Sequence, residues 1–90
     1  DFWGNELTLH QTKLKLPRER HNVDMGNVPV PHFGVHLKKE IFNRIKTNLK
    51  TNNIDYIDKP YTRFKGTKFE QNTFFIEDPH GNVLELKTFE

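Results

Sequence analysis

QNTFFIEDPHGNVLELKTF, residues 71–89, reads as two strands joined by a tight turn. QNTFFIE (71–77) carries the β-branched and aromatic residues that suit a pleated surface, and VLELKTF (83–89) alternates apolar with polar side chains. Between them, DPHGN combines Asp and Pro with Gly and Asn, which tolerate positive φ in short connections. The alternation also assigns faces. Leu84 and Leu86 point to one side of the sheet, while Val83, Glu85 and Lys87 point to the other.

Nearly the same words open the chain. DFWGNELTL (1–9) shares with DPHGNVLEL (78–86) an Asp, then Gly-Asn, then Leu-x-Leu, five identities in nine positions at a constant offset. Leu7 and Leu9 fall in phase with Leu84 and Leu86, which predicts a strand over 5–11 with the same apolar face. A repeat alters the fold assignment, because each copy is one supersecondary unit. Residues 1–11 are therefore expected to be the last strand of a truncated N-terminal module. The chain does not open on Met, in keeping with a start further upstream.

Between the two copies the patterning changes three times. Residues 12–29, including PRERHNVDMGNVP, carry scattered charge and no period, and are expected to form a linker or lid. PHFGVHL (31–37) alternates, with Phe33, Val35 and Leu37 on one face and His32, Gly34 and His36 on the other. From Lys38 the period becomes helical: Ile41, Ile45 and Leu49 recur at i, i+4 and i+8 beside Phe42, predicting a helix over about 38–51. Glu40 and Arg44 stand one turn apart on its exposed side. Asn52-Asn53 suits a left-handed exit from the helix. IDYI (54–57) is expected to be a strand stopped by Pro60. Residues 30–90 thus read as a C-terminal βαβββ module of the α+β class, preceded by one strand of another module.

Bulk composition agrees with a part of something larger. Ninety residues make one small domain at most, able to bury only roughly 60–65% of the unfolded surface. Hydrophobic content of 33% and a mean hydropathy of −0.83 are low for a self-sufficient core, offset in part by eight Phe, two Tyr and one Trp. No apolar run approaches the ~20 residues of a membrane span. Zero cysteines exclude disulfides and thiolate metal sites and fit a reducing compartment, so a cytoplasmic location is expected. The 14 basic residues are nearly matched by 12 acidic ones, and no aromatic RNA-binding signature is present, so nucleic acid is not expected as a partner.

Together, VPVPHFGVHL (28–37) and PYTRFKGTKFEQNTFFIEDPHGNVLELKTF (60–89) resemble the vicinal oxygen chelate superfamily of glyoxalases, bleomycin-resistance proteins and extradiol dioxygenases. Within it they are most similar to the bacterial predicted extradiol-dioxygenase-like group. The resemblance implies paired βαβββ modules closing a cup around a divalent metal that chelates vicinal oxygens of a small substrate. Carried over by position, His32 on the first strand and Glu85 on the last strand match the metal ligands. The third ligand in such proteins is commonly a His on the other module's first strand. Thr8, which stands where Glu85 does in the repeat, is a poor ligand. The implied set is two His and one carboxylate, which suits Fe(II) first, with Mn(II), Ni(II) or Zn(II) as further possibilities.

The residues themselves leave alternatives open. His32 and Glu85 form either a metal site or a plain hydrogen-bonded pair, and Glu85 can instead pair with Lys87 or Arg63. Lys87, one step along the same face, is expected to be a bystander. His36 and His10, the counterpart of Lys87 in the repeat, are candidate acid/base residues or exposed strand-end histidines. Tyr61, Arg63 and Gln71 either line the mouth of the cup toward substrate or buttress it. His21 and His80 are expected to be solvated, and Phe64, Phe69, Phe74 and Phe75 to be core. Two functions compete: a metal-dependent dioxygenase- or glyoxalase-like enzyme, and a non-catalytic binder of small molecules on the bleomycin-resistance pattern. Either one needs a second module, supplied upstream or by a homodimer partner.

Overall fold

The computed structural model describes residues 1–10, 13, 19–23 and 26–90. A two-stranded hairpin, β1 (Glu19–Val23) and β2 (Gly26–Val30), precedes β3 (Phe33–His36), helix α1 (Lys39–Thr51), β4 (Asp58–Arg63), β5 (Gln71–Glu77) and β6 (Val83–Thr88). The last four strands form one sheet in the order β3-β6-β5-β4. β3 runs parallel to β6, and the other neighbours are antiparallel. This is the expected βαβββ module, with the helix carrying the chain from one edge of the sheet to the other.

The helix forms where the period predicts it. Phe42 and Leu49 are buried, and Ile41 and Ile45 pack beside them onto Leu37, Phe74 and Leu86. Val35, Tyr56, Ile76 and Leu84 complete this cluster. Full burial of a large apolar side chain stabilises by about 1.5–3 kcal/mol, and each buried member of this cluster contributes on that order. Asn52 and Asn53 close the helix as expected: their N–H groups donate to the carbonyls of Asn48 and Lys50, and Asn53 takes φ 54°. Glu40 and Arg44 are both exposed and form no ion pair with each other among the described residues. At the other end of the module, Asp78 organises the β5–β6 turn. Its carboxylate accepts from the N–H groups of His80 and Asn82 and from the Asn82 amide, while Gly81 adopts φ 86°.

Three expectations are corrected, and the 12–29 segment carries secondary structure of its own. Residues 6–10 form no strand; the opening segment closes only a bridge between Phe2 and Asn5, and Leu9 is 78% exposed. Alternation chooses faces, but a strand also needs a neighbouring strand to pair with, and none of the described strands pairs with this segment. The stretch expected to be a linker or lid contains the β1–β2 hairpin, paired from Glu19↔Val30 to Val23↔Gly26. Positions 12, 14–18, 24 and 25 of that stretch, and position 11 of the opening segment, lie outside the described residues. The strand expected at 54–57 begins instead at Asp58 and runs through Pro60, which an edge strand tolerates at the register shift between Asp58 and Tyr61. Phe69 is not core: it is 58% exposed, with the Lys68 ammonium 5.1 Å from its ring centroid.

The hairpin covers part of the other sheet face. Val28 is buried against Phe75 and Val83, with Val30, Ile57 and Tyr61 around them. Arg20 ties β1 to β4 through two contacts to Asp58, Nη2 to Oδ1 at 2.8 Å and Nη1 to Oδ2 at 3.2 Å. No described helix is long and apolar enough to cross a membrane.

Candidate functional site

The face of the sheet turned away from the helix carries most of the polar side chains that the sequence singles out. Strand register places them in rows. Tyr61 lies opposite Thr73, Thr73 opposite Lys87, and Lys87 opposite His36, so one row crosses all four strands. The next row joins Phe75, Glu85 and Gly34. On the far side of the first row, Arg63 pairs with Gln71.

Glu85 is the centre of this arrangement, a carboxylate only 4% exposed. Its two oxygens have different surroundings. Oε2 accepts from the Thr73 hydroxyl at 2.9 Å. That hydroxyl also lies 3.2 Å from the Leu86 carbonyl, but its single proton favours the charged acceptor. Oε1 faces Lys87 Nζ at 3.4 Å and His32 Nε2 at 3.7 Å. The expected bystander is therefore a contact of the carboxylate. Gly34 is what lets β3 come this close. A Cβ there would stand 2.8 Å from the Glu85 carbonyl oxygen and 3.0 Å from the Glu85 Cβ.

His32 is held from its other side. Its Nδ1 lies 2.7 Å from the Pro29 carbonyl, and its ring stands edge-on to Phe75 with centroids 5.1 Å apart. A carbonyl can only accept, so Nδ1 carries the proton and donates it. A neutral His32 then turns an Nε2 lone pair toward Glu85. At 3.7 Å this is not a hydrogen bond. Two electron-rich atoms then face each other across that gap, with the Lys87 ammonium already beside Oε1.

Toward β4 the face changes character. The Tyr61 hydroxyl and Gln71 Oε1 are buried and have no hydrogen-bond partner among the described residues. Gln71 keeps one link, from Nε2 to the Phe69 carbonyl at 3.3 Å. Burial pushes the Tyr61 phenol above its ordinary pKa, and the charges of Asp58 and Glu85 push the same way, while Arg63 and Arg20 oppose them. The Arg63 guanidinium lies over the Phe64 ring, 5.1 Å from its centroid.

The structure thus brings together His32, Glu85 and Lys87, with Tyr61, Arg63 and Gln71 on the adjoining strands. His36 reaches the same face, but its ring packs edge-on against Phe89, centroids 4.8 Å apart. His10 is exposed in the unpaired opening segment, and the structure does not bring it to the others. His21 meets Glu19 at 3.1 Å, and His80 is exposed. Two residues that matter here were not singled out from the sequence. Gly34 had a signal, since a glycine inside a strand marks a bulge or a close approach. Thr73 had none, because one Thr in a strand is indistinguishable from others until the register places it beside Glu85.

Comparison with known proteins gives this geometry a family context. The chain is similar to a glyoxalase/bleomycin resistance protein/dioxygenase from Alicyclobacillus acidocaldarius, whose crystal structure superposes with a TM-score of 0.61 at 32% sequence identity. The match covers 74% of this chain and 49% of that one, so the chain spans about half the length of that relative. At this identity, and with the βαβββ topology in place, the Alicyclobacillus protein is a homologue within the glyoxalase/bleomycin-resistance/dioxygenase superfamily. No protein-family model matches the chain, and no curated protein does.

The divalent metal implied by such a fold meets two suitable donors here. Two ligands, each about 2.1 Å from one ion, lie about 3.0–3.4 Å apart at octahedral to tetrahedral angles. His32 Nε2 and Glu85 Oε1 need to close only slightly from 3.7 Å to reach that spacing. Among the described residues, no group of three His, Cys, Asp or Glu side chains could hold an ion. These two are donors of the kind such a metal takes, and among the described residues they are one short of the three such a site needs.

Proposed function

We propose that this chain is one module of a small-molecule-binding cup, closed by a second module of the same kind in the same polypeptide or in a second copy. The observation that carries the reading is the Tyr61 hydroxyl and Gln71 Oε1, both buried without a described partner on the Glu85 face of the sheet. A buried polar group left unpaired costs about 1–3 kcal/mol, a cost readily offset when a ligand supplies the missing hydrogen bonds. Bleomycin resistance, one of the functions for which the Alicyclobacillus homologue is named, is the precedent for binding without chemistry. The test is calorimetry of metal-stripped protein with small oxygen-rich ligands. Saturable binding that Tyr61→Phe and Gln71→Leu weaken supports the reading. Absence of binding to wild type at millimolar ligand, with and without divalent metal, sinks it.

A second reading is favoured by a separate observation, the His32 Nε2 and Glu85 Oε1 pair facing each other at 3.7 Å. Under it the protein is a metal-dependent dioxygenase- or glyoxalase-like enzyme of the predicted extradiol-dioxygenase-like group. Fe(II) is the first candidate, then Mn(II), Ni(II) or Zn(II), and a third ligand comes from outside the described residues. A bound divalent metal would supply Lewis acidity toward vicinal oxygens of the substrate. The chain's own part is to hold Glu85 by the Thr73 hydroxyl, to present His32 through Nε2, and to set Lys87 beside the carboxylate. Tyr61, Arg63 and Gln71 bind and orient substrate, and His36 and His10 are the candidate proton carriers. Glu85→Gln and His32→Ala should each weaken Mn(II) binding with little change in fold. Unaltered affinity in both variants removes this reading and leaves the binding cup. A cytoplasmic location accompanies both readings.

A further inference from the structure

The β1–β2 hairpin accepts a hydrogen bond from the candidate ligand His32, and that contact decides which ring nitrogen His32 offers. Pro29 is among the most completely buried residues, under 2% exposed, and its neighbour Val28 is seated on Phe75 and Val83. That seating aims the Pro29 carbonyl at His32 Nδ1, 2.7 Å away. Arg20 lies opposite Pro29 in the hairpin register. From there its guanidinium reaches Asp58 in two-pronged contact and also meets the Asn27 side chain at 3.3 Å. A latch on β4 and an apolar seat on β5 and β6 therefore fix the position of one carbonyl.

We propose that the hairpin is a positioning device for His32, in which Arg20 and Asp58 hold the Pro29 carbonyl so that Nδ1 stays protonated and Nε2 faces Glu85. The inference rests on the His32–Glu85 reading for its purpose, though not for its geometry. Metal-binding histidines characteristically donate their second ring N–H to a carbonyl or carboxylate, which fixes tautomer and orientation. Here the acceptor belongs to an element outside the βαβββ module. With the hairpin released, the neutral ring is free to carry its proton on Nε2, where it donates to Glu85 and presents no lone pair. An isolated exposed ion pair is a weak latch. Two parallel contacts with fixed geometry are a better one, and Arg is the residue that provides them.

The experiment follows the His32 tautomer in the metal-free, ¹⁵N-histidine-labelled full chain at mildly alkaline pH, where imidazoles are generally neutral. Two-bond proton–nitrogen correlations distinguish the Nδ1–H from the Nε2–H form. Wild type should show Nδ1–H. Arg20→Ala should give a mixture with Nε2–H, and should weaken Mn(II) binding by calorimetry on the order of 10-fold. The exchanged pair Arg20→Asp with Asp58→Arg should restore both, which a purely structural role for either residue would not predict. Should Arg20→Ala unfold, Arg20→Lys keeps the charge, removes the two-pronged geometry and takes its place. Nε2–H in wild type, or an unchanged tautomer in the latch variants, overturns the proposal. If wild type binds no Mn(II) at all, the metal reading fails while the tautomer shift still decides the positioning role.

Discussion

The first and last copies of D-x-x-G-N-x-L-x-L share a turn and part company at the strand. In both, the Asp carboxylate accepts from a backbone N–H within the turn: Asp1 from Gly4 at 3.2 Å, and Asp78 from His80 and Asn82 at 2.9 Å. In both, the Gly is left-handed, φ 85° at Gly4 and 86° at Gly81. Beyond the Asn the paths diverge. Val83–Thr88 pairs on both sides, with β3 and with β5, whereas residues 6–10 pair with nothing described. Leu86 is 1% exposed and its counterpart Leu9 78%. A turn is closed by groups a few residues apart, so nine letters suffice for it. A strand is closed by other strands, and the same letters cannot supply them.

The largest effect should come from breaking the comparison at its matched leucines. Leu86→Ala should cost about 2–5 kcal/mol in urea unfolding, as core truncations do. Leu9→Ala should stay within about 0.5 kcal/mol. In any assembly that gives the opening segment an edge to pair with, Leu9→Ala should begin to behave like Leu86→Ala. Equal effects in the 90-residue chain would mean that the two segments are packed alike.

Next comes the close approach of β3 to β6, which has no counterpart at the opening copy. Gly34→Ala forces a Cβ to within 2.8 Å of backbone oxygen, so it should destabilise by about 1–3 kcal/mol and displace Glu85. A thermal melt unchanged from wild type would contradict this.

Lys87 and His10 are matched in the repeat but not in surroundings. Removing Lys87 leaves the buried Glu85 with one cation fewer, and Lys87→Ala should cost about 1–2 kcal/mol. The His10→Ala melt should overlay wild type. Lys87→Ala is consequently no neutral control for metal titrations.

The smallest effect concerns pH. The Asn82 side chain, followed by the Asn82 and His80 backbone N–H groups, holds the Asp78 carboxyl below its ordinary pKa. A carboxylate lowered in the folded state stabilises the fold at pH above its unfolded value, and that contribution disappears as pH falls through the folded value. Exposure keeps the effect small. Stability should therefore decline slightly on the acid side of the usual carboxylate range, and Asp78→Asn should flatten that decline. An acid limb of identical slope in wild type and variant would rule it out.

The module was legible wherever one periodic face meets one core. Ile41, Phe42, Ile45 and Leu49 declared the helix, and Leu84 and Leu86 declared which side of β6 it covers. That choice by itself places Glu85 on the opposite side. The β1–β2 hairpin was not legible, because charged ERHNV and Gly-led GNVPV show no alternation strong enough to stand out from a loop. Pro60 misled for a related reason. A proline excludes a central strand but not an edge one, and which strand lies at the edge is decided by the whole sheet.

By itself, the sequence determined what is local: the helix, its Asn exit, both Asp-Gly-Asn turns, and the alternation that separates a greasy face from a polar one. Each depends on groups within a few residues, whose energies are settled before distant segments meet. Tertiary structure alone decided the rest. It left Leu9 in solvent while burying Leu86, set Lys87 and Thr73 on the two oxygens of Glu85, and turned the Pro29 carbonyl onto His32. Those outcomes depend on register between strands far apart in the chain, and register is set by the sum of all the contacts it creates.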